Sequence, residues 1–380
     1  MPDGQPDHRT GGRGGRADPR TPVTLLTGFL GSGKTTLLNR ALRDPALSRT
    51  AVVINEFGSV GIDHDLTASS DDTIVVLENG CLCCTVFGDL VGTLNSLYHR
   101  REAGEIAPFD HVVIETSGLA DPAPVLQAFL SEPTLAGLFR VAAVVVTVDV
   151  VNGAATLDDH VESVRQAALA DQIILTKSDL LPQAEGDGRL AQLRGRLQRI
   201  NPAASISRVD DPAVDPIALF RAAGIDPAEG GDAALAWLNA AAYEPASQHA
   251  AHSHGHAHDH DEAIAAFCLV REAPSSRAAL ELLLSAIERN LGPNLLRVKG
   301  LVNVAEAPGR PAIIQGAQHL LHNLTWLARW PSEDHRTRIV FITHHMAAED
   351  LEEMVSTLDR VATRTADARA SAQAARLDPA

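Results

Sequence analysis

Residues 23 to 42 read VTLLTGFLGSGKTTLLNRAL: an apolar run, a glycine-rich loop and a helix-compatible segment in immediate succession. Gly28 to Thr35 satisfies GxxxxGK[ST], and the strand-loop-helix order around it is the context that gives the motif meaning. The glycines let the chain wrap so that successive backbone N–H groups face phosphate oxygens, and the following helix N-terminus adds partial positive charge. Gly28, Gly31, Ser32, Gly33 and Thr36 are thereby candidate nucleotide contacts. Lys34 is expected on the β- and γ-phosphates and Thr35 on Mg²⁺.

Outward from this loop, short β-branched runs alternate with helix-compatible segments: Val23 to Thr27, Ala51 to Asn55, Thr73 to Leu77, His111 to Thr116, Val141 to Val148 and Gln172 to Thr176. Continuous apolar strands separated by helices imply a mostly parallel sheet covered on both faces, an α/β domain. After residue 263 the pattern changes. Strands are expected at Ile264 to Arg271, Leu295 to Val304, Pro311 to Gln315, His319 to Leu327 and Arg338 to Thr343, with helices at Ser275 to Asn290 and Ala347 to Val361, a smaller α+β domain. The stretch from Thr363 onward is Ala- and Arg-rich and either extends that helix or frays.

A chain of 380 residues suits two domains, and its 45% hydrophobic and 21% charged residues exclude overall disorder. The net charge of −16 disfavours a general nucleic-acid surface. Residues 1 to 20 are rich in Gly, Pro, Asp and Arg, read as a disordered tail without a signal-peptide core. No stretch approaches the roughly 20 apolar residues that span a bilayer. A soluble, cytoplasmic protein without membrane partners is the expectation.

Thr176, Lys177, Ser178 and Asp179 follow a strand where GTPases carry [NT]KxD. A carboxylate such as Asp179 accepts two hydrogen bonds from guanine, whereas adenine presents an unprotonated nitrogen there, so GTP is favoured. Glu115 ends a strand beside the phosphate loop, suited to the Mg²⁺ shell or to orienting water, and Gly118 permits close backbone approach to the terminal phosphate. Cys81, Cys83 and Cys84 supply three thiols within four positions; thiolates select soft or borderline ions such as Zn²⁺ or Co²⁺. Glu56 follows the second strand and is read equally as a ligand of that ion, a Mg²⁺ shell residue or a loop carboxylate. Between His249 and His260, six histidines alternate with small or acidic residues; His252, His254, His256, His258 and His260 are candidate ligands of exchangeable metal.

Taken together, GFLGSGKTT at 28 to 36, NEFGSVGID at 55 to 63, ENGCLCC at 78 to 84, IETSGLADP at 114 to 122, TKSD at 176 to 179, RVKGLV at 297 to 302 and TWLARWP at 325 to 331 resemble the CobW-type metallochaperone GTPases. The likeness spans about residues 21 to 361. It implies a SIMIBI-type P-loop GTPase domain over 21 to 245 and a CobW C-terminal domain over 263 to 361, joined by the His-rich metal-binding linker over 246 to 262, with the Ala- and Arg-rich tail over 362 to 380 beyond the likeness. It also implies Mg²⁺-dependent GTP hydrolysis with Lys34, Glu115 and Glu56 as catalytic residues, and Zn²⁺ or Co²⁺ held by Cys81, Cys83 and Cys84. Delivery to a client metalloprotein and nucleotide-dependent homodimerisation follow from the same resemblance. Many members carry glutamate where this chain has Ser59, so no role of that carboxylate transfers. Two alternatives stay open: a metal store or sensor whose His-rich loop is nucleotide-modulated, and an assembly factor for one metalloenzyme.

Overall fold

The computed structural model describes residues 19–55, 74–77, 85–181, 186–211, 220, 238, 264–317, 320–321, 324–346 and 348–377. The first domain runs β1 (Thr21–Gly28), α1 (Lys34–Leu42), β2 (Thr50–Asn55), β3 (Ile74–Leu77), α2 (Thr85–Glu102), β4 (His111–Thr116), α3 (Ala123–Ser131), α4 (Pro133–Leu138), β5 (Phe139–Asp149), α5 (Gly153–Asp159), α6 (Val161–Leu169), β6 (Gln172–Thr176), α7 (Gly186–Ile200) and β7 (Ser205–Arg208). Its seven strands form one sheet in the order β3-β2-β4-β1-β5-β6-β7, and every pairing is parallel.

The expected strands are all present, and alternate side chains along them divide between two cores. Val23, Leu25, Val112, Ile114, Val144, Val146 and Ile173 join a core with Leu90 and Leu94 of α2 and Val164 of α6. Leu26, Val52, Val113, Val145 and Ile174 join Leu37, Leu38 and Ala41 of α1 on the other face. The short edge strand β7 has no counterpart in the sequence reading. Asn201, just after α7, donates its side-chain amide to the carbonyls of Ala167, Ala168 and Ala170, satisfying the end of α6.

The C-terminal part contains β8 (Ile264–Arg271), α8 (Arg277–Leu291), β9 (Leu295–Val302), β10 (Ala312–Ala317), β11 (Leu320–Leu321), β12 (Thr325–Trp326), β13 (Thr337–His344) and α9 (Ala348–Leu377). The sheet is antiparallel, ordered β11-β10-β9-β13-β8 with β12 also on β10. Leu280, Leu283, Leu284 and Ile287 of α8 and Leu351 and Val355 of α9 cover one face. Ser276 caps α8 by accepting from the Ala279 N–H. One departure from the sequence reading lies in the strand expected over 319 to 327, whose described residues include the two-residue strands β11 and β12, each pairing with β10. Of the two outcomes open for the stretch from Thr363, extension holds: α9 continues past residue 361 to Leu377, with Ala362 and Ala366 buried and Arg271 holding Asp359 and Thr363.

The opposite face of this sheet meets the first domain. Leu296, Ala317 and Ile342 join the larger core of the parallel sheet. Asp171, immediately before β6, accepts from the Val144 N–H, from Arg297 at 2.8 Å and from Lys299, and Arg297 also donates to the Leu169 carbonyl. Burial alone would raise the Asp171 carboxyl; the Arg297 and Lys299 charges and the hydrogen bonds outweigh it and hold it at about 2. Burial, with Arg297 alongside, lowers Lys299 to about 8. Among the described residues no helix is long and apolar enough to cross a membrane.

Candidate nucleotide site

The loop between β1 and α1 sits at the carboxyl edge of the sheet, next to the ends of β4, β5 and β6. Three of its glycines have positive φ, Gly28 at 138°, Gly31 at 68° and Gly33 at 93°, conformations that side chains disfavour. Gly28 is also pressed against Thr147 of β5, leaving no room for a Cβ. The loop is fastened from three sides. Ser32 and Thr147 share a buried hydroxyl hydrogen bond of 2.6 Å. The Thr176 hydroxyl donates to the Ser32 carbonyl at 2.6 Å. Phe29 stacks on His160, with ring centroids 4.4 Å apart.

Lys34 lies buried beneath the loop, its ammonium donating to the carbonyls of Gly28 at 2.9 Å and Phe29 at 3.1 Å. Thr35, in the first turn of α1, donates its hydroxyl to Glu115 Oε1 at 2.6 Å, joining the two residues expected at Mg²⁺. Thr36 is exposed in the same turn. Glu115 is placed by β4, whose residues pair with both β1 and β2. Gly118 packs so closely on the phosphate loop that an added Cβ would stand 2.5 Å from the Leu30 nitrogen. The turn Ser117 to Ala120, closed by the Ala120 N–H on the Ser117 carbonyl, is braced by α6. Gln166 of that helix donates to the carbonyls of Gly118 at 3.2 Å and Ala120 at 3.0 Å, and Arg165 pairs with Asp121 at 3.3 Å.

At the end of β6, Lys177 takes the left-handed conformation with φ of 59°, turning its side chain to Asp149 at 2.8 Å. Asp149 also accepts from the Val151 N–H and the Asn152 amide. Burial favours the protonated carboxyl, but the bonds from Lys177, Asn152 and Val151 prevail and keep it below the usual range. Asp179 is exposed in the short turn that follows. Gly28, Gly31, Ser32, Gly33, Lys34, Thr35, Glu115, Gly118 and Thr176 are thus gathered, with Lys177 and Asp179 on the same edge. Thr147, Asp149, His160 and Gln166 belong to the arrangement without having been singled out in the sequence. Of these only Asp149, a charged residue closing an apolar strand, carried a local signal.

Glu56, Cys81, Cys83, Cys84 and the histidines His252, His254, His256, His258 and His260 lie outside the described residues. Strands β2 and β3 end at Asn55 and Leu77, ahead of Glu56 and of the cysteines respectively. Asn55, the residue before Glu56, pairs in register with Leu77 of β3 and with Thr116 of β4.

The family model described as CobW/HypB/UreG, nucleotide-binding domain, matches residues 22–208, and that of the cobalamin synthesis protein cobW C-terminal domain matches 264–358. The zinc chaperone YjiA of Escherichia coli is 31% identical over 329 residues, covering 87% of this chain and 96% of that protein. The zinc-regulated GTPase metalloprotein activator 1 of Schizosaccharomyces pombe is 35% identical over 209 residues, 51% of this chain and 48% of its own length. The crystal structure of the Zn(II)-bound YjiA GTPase from E. coli aligns with a TM-score of 0.61 at 25% identity, covering 89% of this chain and 99% of that one. With a phosphate loop at the carboxyl edge of a parallel sheet and an antiparallel domain docked on it, this chain belongs to the CobW/HypB/UreG family of P-loop GTPases and carries the CobW C-terminal domain.

Proposed function

We propose that this chain is a GTP-hydrolysing zinc metallochaperone in which the nucleotide at the phosphate loop governs capture and release of Zn²⁺ by Cys81, Cys83 and Cys84. The observation that most supports this is sheet register. Asn55, Leu77 and Thr116 align across β2, β3 and β4, so the segments bearing Glu56 and the cysteines leave the sheet at the edge that holds Glu115 and the phosphate loop. Zn²⁺ is the preferred cargo, since thiolates suit it and similar proteins are zinc chaperones; Co²⁺ fits the same ligands. The recipient is a client metalloprotein.

The backbone N–H groups of Gly31 to Lys34 receive the phosphates, and Lys34 exchanges the Gly28 and Phe29 carbonyls for β- and γ-oxygens. The Thr35 hydroxyl and Glu115 carboxylate, 2.6 Å apart, are hard oxygen donors of the kind that suit Mg²⁺. Bound there, Mg²⁺ neutralises charge on the transferring phosphate. Gly118 brings its backbone against the terminal phosphate, and Glu115 orients water. Asp179 reads guanine while Asp149 anchors the neighbouring Lys177. In this reading nucleotide state sets the Zn²⁺ affinity, and by linkage Zn²⁺ changes the preference for GTP over GDP by the same factor.

The test is competition for Zn²⁺ against a chromophoric chelator with the histidines from His249 to His260 replaced, in Mg²⁺ with a GTP analogue and again with GDP. The expected outcome is a difference of about tenfold or more, lost in Cys83→Ala. Equal affinity in both states would remove the coupling and leave a metal store.

A further inference from the structure

Helix α6 carries a glutamine where its position calls for an apolar residue. Gln166 is only 1% exposed and lies among Val164, Ala167, Ala168 and Leu169, all at 0%. Its side chain reaches the turn after β4 and donates to both the Gly118 and the Ala120 carbonyls. Since both partners are acceptors, the amide nitrogen must face them. The other end of the amide, Oε1, is buried without a hydrogen-bond partner among the described residues. Packing therefore does not explain the residue, because an apolar side chain would leave no orphaned oxygen.

The two accepting carbonyls belong to the 118–119 and 120–121 peptides, so one side chain holds two peptide planes of the turn, those before Leu119 and after Ala120. A carbonyl held on the α6 side fixes the plane of the peptide it belongs to, and with it the path of the loop passing the phosphate loop at Leu30. Gly118 stands against that backbone with no room for a Cβ. The β1 to α1 loop has its own fasteners, Thr147 and Thr176, so the Gln166 bonds govern one wall of the site and leave the other alone.

We propose that Gln166 is a positioning residue of the GTPase site, holding the Gly118 turn where the terminal phosphate of GTP is recognised and contributing nothing to the rest of the nucleotide. This rests on the reading that Gly118 meets the terminal phosphate. A purely structural glutamine affects GDP and GTP alike; a positioning glutamine separates them.

Gln166→Met and Gln166→Leu remove both donors at similar volume. Binding of GDP and of a non-hydrolysable GTP analogue, with steady-state hydrolysis, is measured for each in the full chain, with Gly118→Ala in parallel. The expected result is GDP affinity within about twofold of the parent, and analogue affinity and kcat each lower by about tenfold. Gln166→Glu, which cannot donate to the two carbonyls when ionised, should show the same split. Equal losses for GDP and the analogue, or failure of both apolar variants to bind GDP at all, would make Gln166 structural and overturn the proposal. If Gly118→Ala lowers analogue binding while the Gln166 variants do not, the positioning role falls and the reading of Gly118 stands. If Gly118→Ala itself leaves the ratio of analogue to GDP affinity unchanged, the reading of Gly118 falls and the proposal with it.

Discussion

Strand β6 starts beside Asp171 and ends at Thr176, and these two residues serve different halves of the molecule. Thr176 is tied to the phosphate loop through Ser32; Asp171 is tied to the C-terminal domain through Arg297 and Lys299. Strand β4 repeats the division. Its first residue, His111, meets the Thr24 hydroxyl at 3.0 Å inside the fold, and near its other end Glu115 meets Thr35. At the carboxyl edge hydroxyls, glycine backbone, Lys34 and the Glu115 carboxylate are arranged around a loop whose N–H groups converge on a ligand, with the Lys177–Asp149 pair beside it. At the amino edge the polar groups are charges and an imidazole closed upon protein partners. Changes at the carboxyl edge should therefore alter nucleotide binding at nearly constant stability, and changes at the amino edge should do the reverse.

The largest effect is expected at Lys34. Removing the one cation that the phosphate loop encloses in Lys34→Ala should lower GTP hydrolysis by about 10³-fold, roughly 4 kcal/mol of transition-state stabilisation. Thermal unfolding of the nucleotide-free protein should shift little, since the ammonium's bonds to the Gly28 and Phe29 carbonyls lie within the loop itself. A large fall in melting temperature would erase the distinction between the edges. Asp171→Ala is the opposite case. It leaves Arg297 and Lys299 facing one another with side-chain exposures of 14% and 12%, and a loss of about 3 kcal/mol is expected in denaturant unfolding. Nucleotide affinity should stay within about twofold. A comparable loss of GTP binding would mean that the domain interface and the site act as one.

The uneven legibility of the two edges has a physical cause. The phosphate loop is contiguous because one backbone turn must aim several N–H groups at the same point, and the required glycines appear as a motif. The strands were visible because a parallel sheet buried on both faces needs unbroken β-branched runs such as Val144 to Val148. Asp171 and its partners are 126 and 128 positions apart, so no local pattern announces them. Thr147 and Gln166 were equally silent: a threonine in a strand and a glutamine in a helix are ordinary until register and packing place them at the loop. The two-residue strands on β10 lie below the length at which alternation can be read.

A smaller effect is expected from His111. Burial lowers its imidazole from 6.5 to about 4, with Asp110 opposing and Arg140 assisting. The unfolded chain therefore takes up a proton before the folded one does. This contribution to stability is complete above pH 6.5 and is lost as pH falls toward 4. Between pH 6.5 and about pH 5 the loss is about 2 kcal/mol. The Asp171 carboxyl, held at about 2, releases its stabilisation only at lower pH, as it falls below 3.8, so the two do not overlap in that window. Denaturant unfolding across this range should flatten in His111→Gln, while a GTP-analogue titration of the parent at the same pH values should follow stability only where the protein begins to unfold.

The smallest effect tests the carboxyl edge at its most ordinary residue. Thr176 occupies the place where asparagine is common in the base-recognition motif, and the sequence alone gives threonine no evident task there. In the structure its hydroxyl donates to the Ser32 carbonyl at 2.6 Å, with the Val148 carbonyl 3.3 Å away. The hydroxyl thus ties the guanine-side loop to the phosphate loop across the gap between β1 and β6. Thr176→Val keeps the shape and deletes the donor, leaving the Ser32 carbonyl unpaired at a cost of about 1 kcal/mol. Nucleotide affinity should fall roughly fivefold, equally for GDP and a GTP analogue, since the tie lies on neither the terminal phosphate nor the metal side. That equality sets Thr176 apart from Gln166, and a Thr176→Val variant that weakened only the triphosphate would mean that the loop's fastening, and not the turn after β4, discriminates the two nucleotides.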